Sequence, residues 1–170
     1  MKKQLLWLAL LIAMLATCKH KDPEPALPPE TQEGKNTFGC ILNGQLWTNS
    51  QRQGGSPATL EAVPEADGIL SIRAFQRDNG RNENISFFAQ KIDKVGTYPI
   101  STTTSARFVD REKSIDYGSI DNDIIYSGEL VITRFDIPNR IVAGRFNFKL
   151  QKQDGLTFEA TEGRFDLEMN

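Results

Sequence analysis

Few residues in this chain have the types and spacing that enzyme chemistry requires. The chain holds one histidine, His20, and two cysteines, Cys18 and Cys40. Ser-His-Asp and Cys-His nucleophile systems and histidine-ligated zinc sites all need a histidine within a folded domain. His20 lies in a proline-rich segment near the N-terminus, so we do not expect these classes of site. The sequence also lacks a P-loop and a Gly-x-Gly-x-x-Gly dinucleotide loop.

The carboxylates offer one weak metal candidate. Asp116, Asp121 and Asp123 lie close together in a segment between two strand candidates. Loop carboxylates are ligands that Ca²⁺ accepts, although this spacing differs from the EF-hand loop and such clusters also form turns. A carboxylate pair for glycoside hydrolysis can be drawn from many of the 22 acidic residues. The sequence therefore identifies no catalytic residue and implies no cofactor.

The N-terminal segment predicts export and lipidation. Two lysines precede an apolar run over residues 5–16, which is shorter than the roughly 20 residues of a transmembrane helix. The run ends in Leu15-Ala16-Thr17-Cys18, which resembles the lipobox of bacterial lipoproteins, where the cysteine is lipidated after cleavage. We expect residues 1–17 to be a lipoprotein signal peptide and Cys18 to carry the lipid, such as palmitate. A plain secretory signal and an uncleaved anchor are the alternatives.

Residues 18–36 predict a disordered tether behind the lipidated cysteine. This segment contains half of the eight prolines and almost no apolar residues. Such a composition cannot form a core, and Pro-rich linkers are extended and semi-rigid. At about 3.1 Å per residue, the 17 residues from Lys19 to Lys35 would reach about 50 Å.

Residues 37–170 predict a single all-β domain. Asn43-Gly44 and Asn79-Gly80 each separate two apolar runs, as the turns of β-hairpins do. Apolar residues alternate over 142–150, and the alternation changes parity around Gly163, which predicts a bulge. No stretch has a helical period. We predict one antiparallel β-sandwich or a flattened, open barrel.

Single residues of interest within this domain favour structural interpretations. Trp47 is expected in the core rather than on an exposed binding face, and Cys40 is expected to be a small buried hydrophobe. If Cys18 carried no lipid, a Cys18–Cys40 disulfide would be an alternative. Arg145 and Lys149 lie on the polar side of a strand, where they line either a solvated face or a shallow binding surface.

The leader, the tether and several turn and core positions together carry a family resemblance. The lipobox leader, the Pro-rich tether and the turn and core motifs resemble small uncharacterised lipoproteins of Bacteroidota. The resemblance implies an all-β envelope lipoprotein and carries no established activity or catalytic residue. The motifs lie at Phe38, Asn43, Gly44 and Trp47, at Val142, Gly144, Phe146 and Phe148, and at Thr161, Gly163 and Phe165.

The charge balance and the predicted cellular location together define the expected function. Without the two leader lysines, 18 basic side chains face 22 acidic ones, with no basic stripe for nucleic acid. We expect a non-catalytic, lipid-anchored envelope domain, at the outer membrane, that acts in binding or assembly with an envelope protein or a glycan. Periplasmic and surface placement both remain open. The alternatives are a β-barrel carrier of a small apolar ligand, with a cavity lined by phenylalanines, and a carboxylate-based glycan hydrolase.

Overall fold

The computed structural model describes residues 26–51, 60–65, 68–78, 80–153 and 155–170. Within them the chain forms twelve β-strands, no α-helix, and no helix that is long and apolar enough to cross a membrane. The strands are β1 (Thr37–Leu42), β2 (Gln45–Thr48), β3 (Ser50–Gln51), β4 (Leu60–Glu65), β5 (Ile69–Arg77), β6 (Glu83–Ala89), β7 (Gly96–Pro99), β8 (Thr104–Asp110), β9 (Ile115–Gly118), β10 (Ile124–Asp136), β11 (Ile141–Lys152) and β12 (Thr157–Glu168).

Two sheets pack face to face as a sandwich and do not close into a barrel. The first sheet has the order β2-β1-β12-β11-β10-β7. The second has the order β3-β5-β6-β8-β9, and β4 also pairs with β5. The pairs are antiparallel, apart from the two-residue β3 beside β5. The all-β prediction is confirmed, and of its two architectures the molecule has the sandwich.

Local turn chemistry explains the hairpins. Asn43 and Gly44 have φ values of 49° and 78°, as a type I′ turn requires, and they join β1 to β2. The second expected hairpin is formed by β5 and β6. Phe146 of β11 faces Gly163 of β12 and Phe148 faces Ala160, so β12 accommodates one extra residue between these two pairs. The bulge predicted near Gly163 is thereby confirmed.

The core lies between the sheets and is rich in phenylalanine. Phe87 of the second sheet contacts Phe146 and Phe148 of the first, at ring-centroid distances of 4.9 and 6.0 Å. Phe38 stacks on Phe146 at 4.9 Å. These rings fill the space in which the carrier hypothesis requires a cavity. That hypothesis also requires a barrel, which the fold does not have.

Residues 26–36 differ from the expected tether, because they lie against the outer face of the first sheet. We call these residues the strap. The buried carboxylate of Asp166 accepts hydrogen bonds from Thr31 Oγ1 at 2.6 Å and from the backbone N–H groups of Glu33, Gly34 and Lys35 at 3.0, 2.7 and 3.2 Å. The part of the tether prediction that covers residues 26–36 is therefore corrected.

Further contacts hold the strap along its length. Glu30 pairs with Arg145 of β11 at 2.5 Å. Pro28 packs on Gly39 of β1 so closely that a Cβ at Gly39 would lie 2.7 Å from the proline ring. Ala143 is fully buried on this outer face, where alternation alone indicated a solvated position. Residues 1–25, which include the predicted signal peptide, Cys18 and His20, lie outside the described residues.

Candidate functional site

In the structure, each aspartate of the predicted calcium candidate has a partner of its own. Asp116 makes a bidentate pair with Arg107, with N···O distances of 2.7 and 2.6 Å. Asp121 instead accepts the backbone N–H of Gly118 at 2.9 Å, which closes a turn after β9. Each of these carboxylates thus has a structural partner.

Asp123, the third member, lies 3.8 Å from the ammonium of Lys152. Among the described residues no group of three His, Cys, Asp or Glu side chains is placed to hold a metal ion. The three aspartates are close in sequence but serve separate turns and ion pairs.

The two residues interpreted as core are buried. Cys40 has no exposed surface, and burial raises the pKa of its thiol to about 12, so the thiol is protonated and unreactive at neutral pH. Trp47 is 1% exposed. Both interpretations are confirmed, and Trp47 has a further contact that the sequence did not indicate.

The indole of Trp47 holds a buried carboxylate. Its Nε1–H donates to Oε2 of Glu83 at 2.8 Å. Glu83 begins β6 and has the same parity as Ile85 and Phe87, so its side chain points between the sheets and is 9% exposed. A donor from the first sheet therefore stabilises an acid of the second.

Asp110 stands directly opposite Glu83, because the two are register partners in β8 and β6. Its Oδ1 accepts the backbone N–H groups of Glu112 and Lys113, each at 3.1 Å. Its Oδ2 accepts the ammonium of Lys113 at 2.8 Å. Burial raises the pKa of the Asp110 carboxyl, but these hydrogen bonds outweigh burial, so its pKa lies below the ordinary value.

The two acids line a cleft at one end of the sandwich, which we call the end cleft. It has a volume of about 310 Å³ and receives side chains from both sheets. Pockets of this size accommodate small ligands when a few polar groups converge on an apolar wall. The apolar lining is Leu42, Leu46, Trp47, Phe108, Ile115 and Phe158, and the polar lining is Asn43, Gln45, Arg81, Glu83, Asp110 and Lys113.

The sequence contained one signal for this site. Glu83 is an acid on the parity of Ile85, Phe87 and Ala89, which face the core. An acid at such a position is costly unless a partner meets it. The partner, Trp47, is 36 residues away and on the other sheet, so pattern reasoning had no means of pairing them.

The polar face of β11 is the other surface that the sequence singled out. Arg145 and Asn147 line a shallow groove of about 410 Å³ with Glu129, Glu162 and Arg164. Strap residue Glu30 closes one side of this groove through its ion pair with Arg145. Since Arg145 is already paired, this face is occupied in part by the chain itself.

The family comparison matches the sandwich. A family model described as a domain of unknown function, DUF6252, covers residues 37–166. The match runs from the first residue of β1 to Asp166, near the end of β12. No curated protein and no solved structure matches the chain. The end cleft and Asp166 lie within the matched range.

Proposed function

The chain belongs to the DUF6252 family, a domain of unknown function, and we propose that it is a lipid-anchored domain of the bacterial envelope that acts by binding. The observation that carries the anchor is Leu15-Ala16-Thr17-Cys18 directly after a short apolar run. An acyl chain contributes about 0.8 kcal/mol per buried methylene, and several chains hold a protein firmly at a bilayer.

The end cleft supports binding as the activity. Both sheets direct polar side chains toward this cavity, and it includes a buried acid, Glu83. The neighbouring Asp110 is held by three donors of its own turn. A lowered pKa makes Asp110 a poor general acid, and the three donors of its own turn occupy the oxygens that a nucleophile or general base would use, so the pair favours recognition over glycoside hydrolysis.

The proposal includes a cellular location. Together with the leader, the resemblance to small lipoproteins of Bacteroidota supports an outer-membrane lipoprotein whose partner is another envelope component, a protein or a glycan. Acidic residues just after the cysteine are associated with surface display in these bacteria. Here Lys19-His20-Lys21 precedes the first acid, so periplasmic and surface placement are both retained.

Metabolic labelling with palmitate tests the anchor. In cells that express the full chain, we expect label in the protein and loss of that label in Cys18→Ala. Cys40→Ala is the matched control, because Cys40 is buried and should leave labelling unchanged. An unlabelled wild-type chain, or a Cys18→Ala chain that keeps its label, contradicts the proposal.

A further inference from the structure

We infer that the end cleft binds an uncharged, polyhydroxylated ligand, a neutral sugar unit of a glycan. This inference deepens the proposed binding function and rests on it for the setting, since it specifies which class of envelope partner the domain recognises. The argument depends on the hydrogen-bonding capacity, the charge balance and the apolar wall of the cleft.

The first consideration is the unused hydrogen-bonding capacity of Glu83. Within the described residues, the indole N–H of Trp47 is the one side-chain or backbone donor that reaches its carboxylate. A carboxylate offers about four acceptor positions, and the indole N–H of Trp47 occupies one of them on Oε2. A ligand hydroxyl that donates to the second oxygen would satisfy this group.

The opposite acid has no such capacity to spare. Asp110 receives two backbone N–H groups and the ammonium of Lys113. It thereby fixes Lys113 at the edge of the cleft, where the lysine side chain is 70% exposed. The cleft thus presents a free acceptor at Glu83 and free donors at its rim.

The charges in the cleft balance. Glu83 and Asp110 are matched by Arg81 and Lys113, and Arg81 is exposed and tied through Nη1 to Gln76 Oε1 at 3.0 Å. Because these four charges sum to zero, a cationic ligand would be repelled by the two bases as much as it is attracted by the two acids, and the converse holds for an anionic ligand. A neutral ligand with both donors and acceptors avoids both penalties.

The remaining wall is apolar. Phe158 is half-buried and stacks on Phe108 with ring centroids 4.5 Å apart, while Leu46 and Ile115 are also partly exposed. A sugar ring has an apolar C–H face and a rim of hydroxyls, so it can cover this wall and bond the polar groups at once. Amide side chains of Asn43 and Gln45 extend the polar rim.

The test uses the full, detergent-purified chain and saturation-transfer NMR with single sugars. Glucose, galactose, mannose and N-acetylglucosamine are the neutral probes, and glucosamine and glucuronate are the charged matches. We expect at least one neutral sugar to bind and to bind more tightly than its charged match. Binding of none of the neutral probes, or preference for a charged match, would overturn the inference.

Variants locate the binding. Glu83→Gln replaces a charged acceptor with a neutral one and should weaken binding about tenfold. Arg81→Ala removes an exposed rim donor and should weaken binding several-fold without endangering the fold. Arg111→Ala is the control, because Arg111 is exposed in the next turn and does not line the cleft.

The outcomes separate this inference from the anchor proposal. Equal binding by wild type, Glu83→Gln and Arg81→Ala would remove the site from the end cleft while palmitate labelling of Cys18 stood unaffected. Weakened binding in a Glu83→Gln chain whose thermal melting shows a folded domain supports the site. Sugar binding by a chain that takes no palmitate label would support the cleft and contradict the anchor.

Discussion

Asp166 is the residue through which the strap and the sandwich are joined. Its carboxylate is 1% exposed and accepts four hydrogen bonds, all from residues 31–35. Bonds to a charged acceptor are about twice as strong as neutral ones. Burial raises the pKa of the Asp166 carboxyl, but the bonds from Thr31 and the strap backbone outweigh burial, so its pKa lies below the ordinary value.

This lowered pKa predicts a dependence of stability on pH. A carboxyl whose folded pKa lies below its unfolded value of about 3.9 stabilises the fold above pH 4, and the contribution is lost as the pH falls through the folded pKa. We expect Asp166→Asn to lower the free energy of unfolding at pH 7 by about 2 kcal/mol. The deficit should shrink toward pH 3.

Urea unfolding of both chains at pH 7 and pH 3 checks this expectation. Asp110 also has a lowered pKa and contributes in the same direction, but it is present in both chains and cancels in the difference. A wild type and a variant with the same loss of stability between the two pH values would show that Asp166 is not the source.

At the scale of elements, two glycines let the central strands pass close to aromatic rings. A Cβ at Gly163 would lie 2.4 Å from Cδ2 of Phe146. A Cβ at Gly144 would lie 2.0 Å from the carbonyl oxygen of Val131 on β10 and 2.7 Å from Cζ of Phe165. Gly144 in β11 and Gly163 in β12 therefore have no room for a side chain.

Gly144→Ala tests this packing. We expect it to lower the free energy of unfolding by about 3 kcal/mol, since the nearest atom is backbone and cannot move aside cheaply. Gly96→Ala is the matched control in edge strand β7, where the new Cβ would have its nearest neighbour at 3.6 Å, in the side chain of Tyr98. That change should leave stability within about 1 kcal/mol of wild type.

Urea unfolding of the two alanine variants beside the wild type supplies the comparison. If Gly144→Ala and Gly96→Ala unfolded at the same urea concentration, the close approach of β10 and β11 at Gly144 would not be a real constraint.

At the scale of the whole molecule, the strap extends the folded unit toward the N-terminus. Under the proposed anchoring at Cys18, eight peptide units separate the lipidated residue from Ala26, a distance of at most about 29 Å. A free tether over residues 19–35 would have allowed about 50 Å. Under that proposed anchoring, the sandwich would lie closer to the bilayer than the proline-rich composition alone implied.

Truncation measures how far the folded unit extends. A fragment of residues 37–170 leaves the buried Asp166 carboxylate without its strap donors, so we expect it to be less stable than a fragment of residues 26–170 by about 3 kcal/mol. A fragment of residues 19–170 is the control and should match the one that starts at Ala26. Equal urea midpoints for all three fragments would show that the strap contributes nothing to stability.

The sequence by itself determined the features that depend on neighbouring residues. Asn43-Gly44 specified a type I′ hairpin, because both residues tolerate positive φ. Alternation over β11 specified its buried face, and the change of parity around Gly163 specified the bulge. Such signals need no knowledge of which strands meet, so the all-β class followed from them.

Tertiary structure alone decided the features that depend on distant residues. The strap is held by bonds between residues more than 130 positions apart, and its backbone donors carry no side-chain signal. The end cleft exists because Trp47 of one sheet meets Glu83 of the other. Sandwich and barrel share the same local alternation, and the choice between them is made by which strands form hydrogen bonds with each other.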